Sequence, residues 1–185
     1  MKKLFVACAL FVGVSAVKAQ IYTAKEGGTS ISFFSEAPLE NIEAVNKGAM
    51  IVFKSSTGDL QMSVSIQNFK FKNALMEEHF NENYMESDKY PKAIFKGRIN
   101  DPVDYNKDGE QKVTVAGKLE MHGVTKEVTL TGSIVKEGAG FKLSSKTKIK
   151  VSDYNIKVPS MYVKNIAEVV DVTFSAVLEP FQKKS

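Results

Sequence analysis

The segment Asp104–Gly109 carries the side chains that most resemble a metal-binding loop. Its sequence, Asp-Tyr-Asn-Lys-Asp-Gly, places side-chain oxygens at alternate positions and a glycine at the sixth. An EF-hand calcium loop begins in this way and ends with a bidentate glutamate at its twelfth position. That position is Val115 in this chain. Without the closing carboxylate, a polar hairpin turn is the favoured interpretation.

The two histidines, His79 and His122, are the side chains best suited to act as metal ligands or general bases. His79 has Glu78 and Glu82 nearby but no second histidine at helical spacing, whereas a zinc site needs three or four protein ligands. We interpret each histidine as a solitary hydrogen-bonded side chain. No Gly-x-Ser-x-Gly elbow and no glycine-rich phosphate loop occurs. The sequence therefore disfavours catalysis and predicts no catalytic residues, cofactor, metal site or divalent-ion requirement.

The first nineteen residues have the layout of a secretory signal peptide. Lys2 and Lys3 precede an apolar run over residues 4–14, and Val17-Lys18-Ala19 then offers small or β-branched side chains at the positions that a signal peptidase recognises. We expect cleavage between Ala19 and Gln20. The mature protein would then be periplasmic or secreted, with one domain over residues 20–185.

Two other interpretations of this leader are weaker. A membrane span needs about 20 apolar residues, and Lys18 ends the apolar run too early. A lipoprotein anchor would use Cys8, but that cysteine lies inside the apolar run rather than after it. We therefore expect no membrane span in the mature chain.

Removal of the leader changes the composition that matters for function. Cys8 is the one cysteine of the chain, so the mature protein would be held together by its core without disulfides. The full chain has a formal net charge of +4, and loss of the three leader lysines leaves it nearly neutral. Arg98 is the single arginine. Nucleic-acid binding relies on clustered cations and arginine forks, so we expect no nucleic-acid partner.

Strict alternation of apolar and polar residues dominates the rest of the chain. Such alternation indicates strands with one buried and one solvated face. Six segments show it clearly and two more weakly: Thr29–Ser35, Leu60–Asn68, Lys112–Met121, Glu127–Ile134, Phe141–Val151 and Glu168–Leu178, then Ala49–Ser55 and Lys92–Ile99. Turn-forming residues separate them, and no linker or internal repeat divides the chain. The pattern predicts a single all-β domain, either a barrel or a sandwich.

One segment, Asn73–Met85, has helical rather than strand periodicity. Met76, Phe80 and Tyr84 recur at fourfold spacing, Asn73 is suited to an N-cap, and Pro91 lies beyond the end. We expect one helix packed across an end of the barrel, filling space as a lid.

Small residues interrupt the apolar rows that should face inward. They are Gly117, Gly132, Ser145, Thr147 and Ala176. One interpretation is structural, because barrels mix small and large residues to fit their taper and glycine relieves strand curvature. The other is that these residues clear space for a ligand, since a barrel of about eight strands can hold one small molecule. Composition leaves both interpretations open.

Two motifs carry a resemblance to a known family. Residues 89–97 (Lys-Tyr-Pro-Lys-Ala-Ile-Phe-Lys-Gly) and residues 115–130, which include Gly117-Lys-Leu and Gly123-Val-Thr, resemble the two central signatures of the YceI-like family. Residues 148–156 and 168–177 are similar to its C-terminal part. The similarity spans nearly all of the mature chain, and the second motif is fairly specific.

The resemblance implies a closed antiparallel lipocalin-like β-barrel of about eight strands, located in the periplasm or secreted. Characterised members hold polyisoprenoid chains such as isoprenoid quinones or prenyl phosphates, so the implied partner is a long-chain isoprenoid or other lipid. The tail would lie against fifteen inward residues: Ile31, Phe33, Ile51, Phe53, Val64, Val115, Gly117, Leu119, Leu130, Gly132, Ile134, Phe141, Leu143, Val172 and Phe174. Two competing hypotheses are an empty stress-response barrel acting through its lysine-rich surface and a hydrolase. A homodimer is left open.

Overall fold

The computed structural model describes residues 20–36, 41–157 and 167–182, in which ten β-strands and one helix form. The predicted signal peptide lies outside the described residues. The strands are β1 (Ile21–Ser35), β2 (Ile42–Asn46), β3 (Met50–Lys54), β4 (Asp59–Ser65), β5 (Lys70–Phe71), β6 (Lys92–Ile99), β7 (Glu110–Met121), β8 (Val124–Glu137), β9 (Gly140–Lys150) and β10 (Val169–Pro180). The helix, α1, is α-helical over Ala74–His79 and continues as a π-helical turn over Phe80–Tyr84.

The strands form a closed antiparallel barrel with eight strand positions. Neighbours in the chain are neighbours in the sheet, and pairing of β1 with β10 closes the ring. Two of the eight positions are broken strands. β2 and β3 lie end to end along β1, and β5 and β4 lie end to end along them. The predicted fold class is therefore confirmed, and the barrel alternative is the correct one.

Each of the eight predicted strand segments falls on a different position of the ring. The weak prediction at Ala49–Ser55 corresponds to β3, and Leu60–Asn68 corresponds to β4 followed by a 3-10 turn over Ile66–Asn68. The first half of β1 was not predicted. A bulge between Ala24 and Thr29, with Gly27 at φ +66°, breaks its alternation.

A buried asparagine holds the two broken strands together. Asn46 is 0% exposed, and its Nδ2 donates a 2.8 Å hydrogen bond to the backbone oxygen of Ser65. Its Oδ1 accepts a 2.8 Å hydrogen bond from the Gly48 N–H. The side chain thus replaces ladder hydrogen bonds at the level where both strands are interrupted, which satisfies its own buried polar atoms.

The predicted helix is confirmed, including its N-cap. Asn73 Oδ1 accepts a 2.9 Å hydrogen bond from the Leu75 N–H, and the helix spans 11 residues. Phe80 packs the helix against the barrel. Its ring lies 5.5 Å from that of Phe33 and 5.0 Å from that of Phe71, between ring centroids. The helix therefore covers the barrel end at which β1 finishes, which we call the helix end.

The opposite end of the barrel is packed solid with aromatic rings. Phe53 is 0% exposed, and its neighbours Tyr22, Tyr105 and Phe141 surround it. The rings of Tyr22 and Phe141 lie 4.7 Å apart at 64°, close to the edge-to-face geometry that aromatic pairs prefer. Burial raises the pKa of Tyr22 and Tyr105 above the ordinary value of 10.0. We call this cluster the closed end.

Candidate functional site

A cavity of about 800 Å³ lies inside the barrel between the closed end and the helix. Apolar and polar side chains alternate along each strand, and each strand turns its apolar side chains inward. This alternation gives the cavity its apolar lining. The strand residues that line it include Ile31, Phe33, Ile51, Met62, Val64, Ala93, Phe95, Val115, Leu119, Val128, Leu130, Leu143, Ile149, Val172 and Phe174. The interior is therefore predominantly apolar and is not closed to crystal-like density, as an ordinary core would be.

Eleven of the fifteen residues predicted to contact a lipid line this one cavity. They come from seven of the eight strand positions: Ile31, Phe33, Ile51, Val64, Val115, Leu119, Leu130, Gly132, Leu143, Val172 and Phe174. The structure thus brings together residues that are up to 143 positions apart in sequence (Ile31 to Phe174). Whether they contact a ligand stays a prediction.

Phe53, Ile134 and Phe141 of the predicted set lie outside this cavity. All three are at most 3% exposed and belong to one cluster of buried core residues. Phe53 and Phe141 pack against each other with ring centroids 6.0 Å apart. They are inward residues, as predicted, but the part of the barrel that they occupy is filled by their own side chains.

Gly117 also lies outside the cavity. A Cβ at this position would lie 2.5 Å from the backbone oxygen of Lys96 and 2.9 Å from Cζ of Phe95. The space beside this glycine is therefore taken by the next strand and by an aromatic ring, and the residue does not line the cavity. This geometry favours the structural interpretation of the small residue at Gly117, and a ligand contact there stays a prediction.

The remaining small inward residues divide between the two interpretations. Gly132, Ser145 and Thr147 line the cavity, whereas Ala176 is 0% exposed and does not line it. Gly132 also has a backbone role, because a Cβ there would overlap the backbone oxygen of Ser144 on β9.

The lid contributes residues that the sequence analysis did not include in the site. Leu75, Met76, Phe80 and Tyr84 of the helix line the cavity, as does Phe71 of β5. The fourfold spacing of Met76, Phe80 and Tyr84 was a sufficient signal, because a lid helix turns one face toward the barrel interior. Leu75 is 55% exposed and lies at the rim.

One ion pair joins the lid to the barrel wall. Lys70 Nζ on β5 lies 2.5 Å from Glu77 Oε1 on the helix, and the Phe71 N–H donates to Glu77 Oε2 at 3.4 Å. The hydrogen bond from Lys70 is the main reason that the pKa of Glu77 is lowered from its ordinary value of 4.5.

The two histidines occupy different places, and the structure does not bring them together as a pair. His122 is buried, with Nδ1 3.0 Å from the backbone oxygen of Tyr154 and Nε2 3.0 Å from Glu86 Oε2. Its φ of +51°, followed by +74° at Gly123, forms the tight turn between β7 and β8. His79 lies on the helix and lines the cavity.

The loop that opens like a calcium site forms a hairpin connection. Asp104 Oδ1 accepts a 3.0 Å hydrogen bond from the Asn106 N–H, and the Gln111 side chain bridges Asp104 across the turn. Within residues 20–36, 41–157 and 167–182, no group of three or more His, Cys, Asp or Glu side chains is arranged to hold a metal ion.

The closed eight-stranded barrel and its apolar interior cavity define the class of lipocalin-like barrels. The chain belongs to the YceI-like domain family, whose model matches residues 22–178. The resemblance found in the sequence motifs is thereby confirmed.

Curated relatives match parts of the chain. A UPF0312 protein of Photorhabdus laumondii subsp. laumondii is 32% identical over 107 residues, which cover 53% of this chain and 52% of that protein. Protein YceI of Shigella flexneri is 34% identical over 82 residues, covering 40% of this chain and 39% of that protein. The chain thus spans about half the length, or less, of these curated relatives.

Solved structures share the fold over most of the chain. A polyisoprenoid binding domain from Saccharophagus degradans, implicated in plant cell wall breakdown, superposes with a TM-score of 0.74 at 16% identity, covering 86% of this chain and 98% of that one. BcnA of Burkholderia cenocepacia gives a TM-score of 0.71 at 20% identity, covering 83% and 98%. At these identities the likeness concerns the fold.

Proposed function

We propose that this protein binds the apolar tail of a long lipid, such as a polyisoprenoid or isoprenoid quinone, inside the barrel and does not catalyse a reaction. The observation that carries the proposal is the apolar cavity of about 800 Å³. Ligand sites commonly enclose about 300–1,000 Å³. The description of the Saccharophagus degradans domain as polyisoprenoid binding supports the same ligand class.

The energetics favour a chain-like hydrocarbon over a polar ligand. Each buried methylene contributes roughly 0.8 kcal/mol, so a long tail needs few polar contacts to bind well. Aromatic rings line the cavity, with Phe80 on the lid helix, Phe33 stacked against it and Phe95 on the barrel wall. A flexible tail can follow such a surface, whereas a polar ligand would find few hydrogen-bond partners there.

The polar side chains of the cavity support binding rather than catalysis. Ser145 Oγ, which lines the cavity, donates a 2.7 Å hydrogen bond to the backbone oxygen of Thr131, so it is committed to the wall. Nucleophilic catalysis needs a hydroxyl or thiol within hydrogen-bonding reach of a base. Among the described residues, neither His79 nor His122 makes a hydrogen bond to a serine or threonine hydroxyl.

Export is part of the proposal, and the order of charged, apolar and small residues in the leader supports it. No helix in the described ranges is long and apolar enough to cross a bilayer. The empty stress-response barrel is disfavoured by the cavity, because a wall selected only for its outer surface would be expected to close on a packed core.

The proposal is tested by extracting the purified mature protein with organic solvent under denaturing conditions and analysing the extract by mass spectrometry. We expect one lipid class at close to one molecule per protein, and rebinding of polyprenols by the delipidated protein. Absence of stoichiometric lipid together with failure to bind added polyprenols would overturn the proposal. A broad esterase panel on the same sample tests the hydrolase hypothesis, for which we expect no turnover.

A further inference from the structure

The pairing between β8 and β9 covers only half of each strand. It begins at their connecting turn and stops at the pair Gly132 and Ser145. Farther toward the helix end, β8 still pairs with β7 and β9 still pairs with β10. Residues 124–131 and 146–150 therefore have no partner strand on the edges that face each other, as far as the described chain shows. We call the space between these two ranges the slot.

The cavity reaches into the slot. In a barrel the side chains of a strand alternate between interior and exterior, so an interior cavity should touch every second residue. Here it is lined by consecutive residues of β8, from 126 to 133, and of β9, from 147 to 150. Thr129, Thr131 and Lys148 point outward and still line it. The cavity thus passes between the two strands.

The edges of the slot are polar. At its inner limit, Ser145 Oγ donates a 2.7 Å hydrogen bond to the backbone oxygen of Thr131, in place of the next bond of the strand ladder. Farther along, the described residues provide no strand partner for the backbone N–H and C=O groups of the two edges. Such groups call for water or another polar partner, because unpaired backbone groups are costly to bury. The slot is therefore the part of the cavity wall that can accept the polar end of an amphiphile.

The inward row of β8 ends in a cation beside the slot. Lys126 occupies the same face as Val128 and Leu130 and lines the cavity. Its Nζ lies 3.4 Å from Asp153 Oδ1, and the two side chains are 41% and 49% exposed. Charge-assisted hydrogen bonds are about 2.7–2.9 Å long, and an ammonium group has three donors. Lys126 therefore has donors left for another anion.

Further charges around the slot favour an anion. Lys148 and Lys150 of β9 line the cavity together with Lys126, whereas the acidic residues that line it are Glu127 and Asp153. Lys148 is paired with Asp171 at 2.6 Å on the outer surface. Lys126 is the cation that stands on the inward face, where it can meet a group whose tail lies in the barrel.

Resting on the proposed function, we propose that the slot holds the acidic headgroup, a phosphate or carboxylate, of the lipid whose tail fills the barrel, and that Lys126 binds it. The tail lies against Val128 and Leu130, and the headgroup emerges where the wall between β8 and β9 is open. Asp153 holds the ammonium in place when no headgroup is bound and opposes the anion when one is.

The test compares two probes that share a tail, geranylgeranyl phosphate and geranylgeraniol, binding to delipidated protein in a titration calorimeter. We expect the phosphate to bind about tenfold more tightly, the effect of one charge-assisted hydrogen bond partly open to water. Lys126→Met should abolish this preference, measured as the ratio of the two affinities. Lys142→Met is the matched control, because Lys142 is an exposed lysine of β9 that does not line the cavity.

Asp153→Asn provides a result that a folding defect cannot imitate. Removal of the opposing carboxylate should strengthen phosphate binding severalfold without strengthening alcohol binding. A phosphate preference retained by Lys126→Met, or lost equally by Lys142→Met, would overturn the headgroup site while the proposed function stands. Failure of the wild-type protein to bind either probe would overturn the proposed function itself.

Inorganic phosphate separates a lipid headgroup from a free anion. Since it lacks the tail, it should bind far more weakly than geranylgeranyl phosphate and compete poorly with it. Binding of inorganic phosphate as tightly as the lipid, in a manner that depends on Lys126, would show that the slot is an anion site independent of the lipid and would overturn the proposal.

Discussion

Gly97 and Gly117 lie directly opposite each other on β6 and β7, and the ring of Phe95 fills the space that both leave free. A Cβ on Gly97 would lie 2.6 Å from Phe95 Cζ, and a Cβ on Gly117 would lie 2.9 Å from the same atom. Phe95 is 2% exposed. The two glycines thus leave room for a large ring against the barrel wall, and the ring occupies that space.

Gly117→Ala should destabilise the protein by about 1–3 kcal/mol, the usual cost of overpacking, without changing its lipid content. The added methyl group would meet the backbone oxygen of Lys96, which cannot move without shifting β6. Denaturant unfolding and quantitative lipid extraction measure the two effects. Ala116→Val, which adds bulk at the neighbouring outward position, is the control. Loss of lipid with unchanged stability would instead support a ligand role for Gly117.

Val172→Phe should displace lipid while the delipidated protein stays folded. Val172 on β10 lines the cavity and is not fully buried, so a larger ring can enter the space of the tail. The extracted lipid should fall well below one molecule per protein, with little change in the melting temperature of the lipid-free form.

Val177→Phe is the matched control for this experiment. It makes the same change on the same strand at an outward position that does not line the cavity. Its lipid content should equal that of the wild type. If Val172→Phe costs about 1–3 kcal/mol, as in a solid core, and retains its lipid, the cavity does not hold the tail.

The contact between the lid and the barrel should weaken in acid. Lys70 and, to a smaller extent, the Phe71 N–H keep the pKa of Glu77 below 4.5 in the folded protein. The unfolded chain therefore binds this proton more readily. Consequently, the stabilisation is fully present above about pH 4.5 and is lost as the pH falls through the lower folded value.

Glu77→Gln should lower the stability near pH 7 by less than about 1 kcal/mol, as for other partly exposed ion pairs. The difference from the wild type should be smaller at pH 3 than at pH 7, because the carboxylate is protonated as the pH falls through a folded-state pKa that lies below 4.5. Melting temperatures at both pH values measure it. Glu78→Gln, at the exposed neighbouring position, is the control. A Glu77→Gln deficit that is as large at pH 3 as at pH 7 would show that the ion pair is not its cause.

Export should remove the first nineteen residues. The charged, apolar and small segments stand in the order that signal peptidase requires, so the exported chain should begin at Gln20. Intact-mass analysis of protein recovered outside the cytoplasm checks this. A full-length species in that fraction would contradict the prediction and favour the membrane-anchor interpretation of the leader.

The strands and the helix could be predicted from the sequence because their determinants are local. Side chains alternate strictly along a strand, so Val113, Val115 and Leu119 already share a face before any partner strand is known. The N-cap at Asn73 depends on residues within one helical turn. The inward rows, and through them most of the cavity lining, follow from the same periodicity.

The tertiary structure alone decided which inward residues surround empty space. Phe53 and Leu130 both sit on inward rows, yet the first packs among the rings of the closed end and the second faces the cavity. Their difference depends on side chains contributed by distant strands. Gly117 and Gly132 likewise both interrupt rows of inward apolar residues. The atoms that a Cβ would meet at each position belong to neighbouring strands, so the sequence does not reveal them.

The slot and its lysine also depend on long-range pairing. Nothing in the alternation of β8 or β9 marks where their ladder ends, because each strand continues against its other neighbour. Lys126 therefore resembles an ordinary charged residue near a hairpin turn. It becomes a candidate headgroup ligand because the separation of β8 from β9 opens the wall beside it, and strand pairing across a barrel is a property of the whole sheet rather than of any one segment.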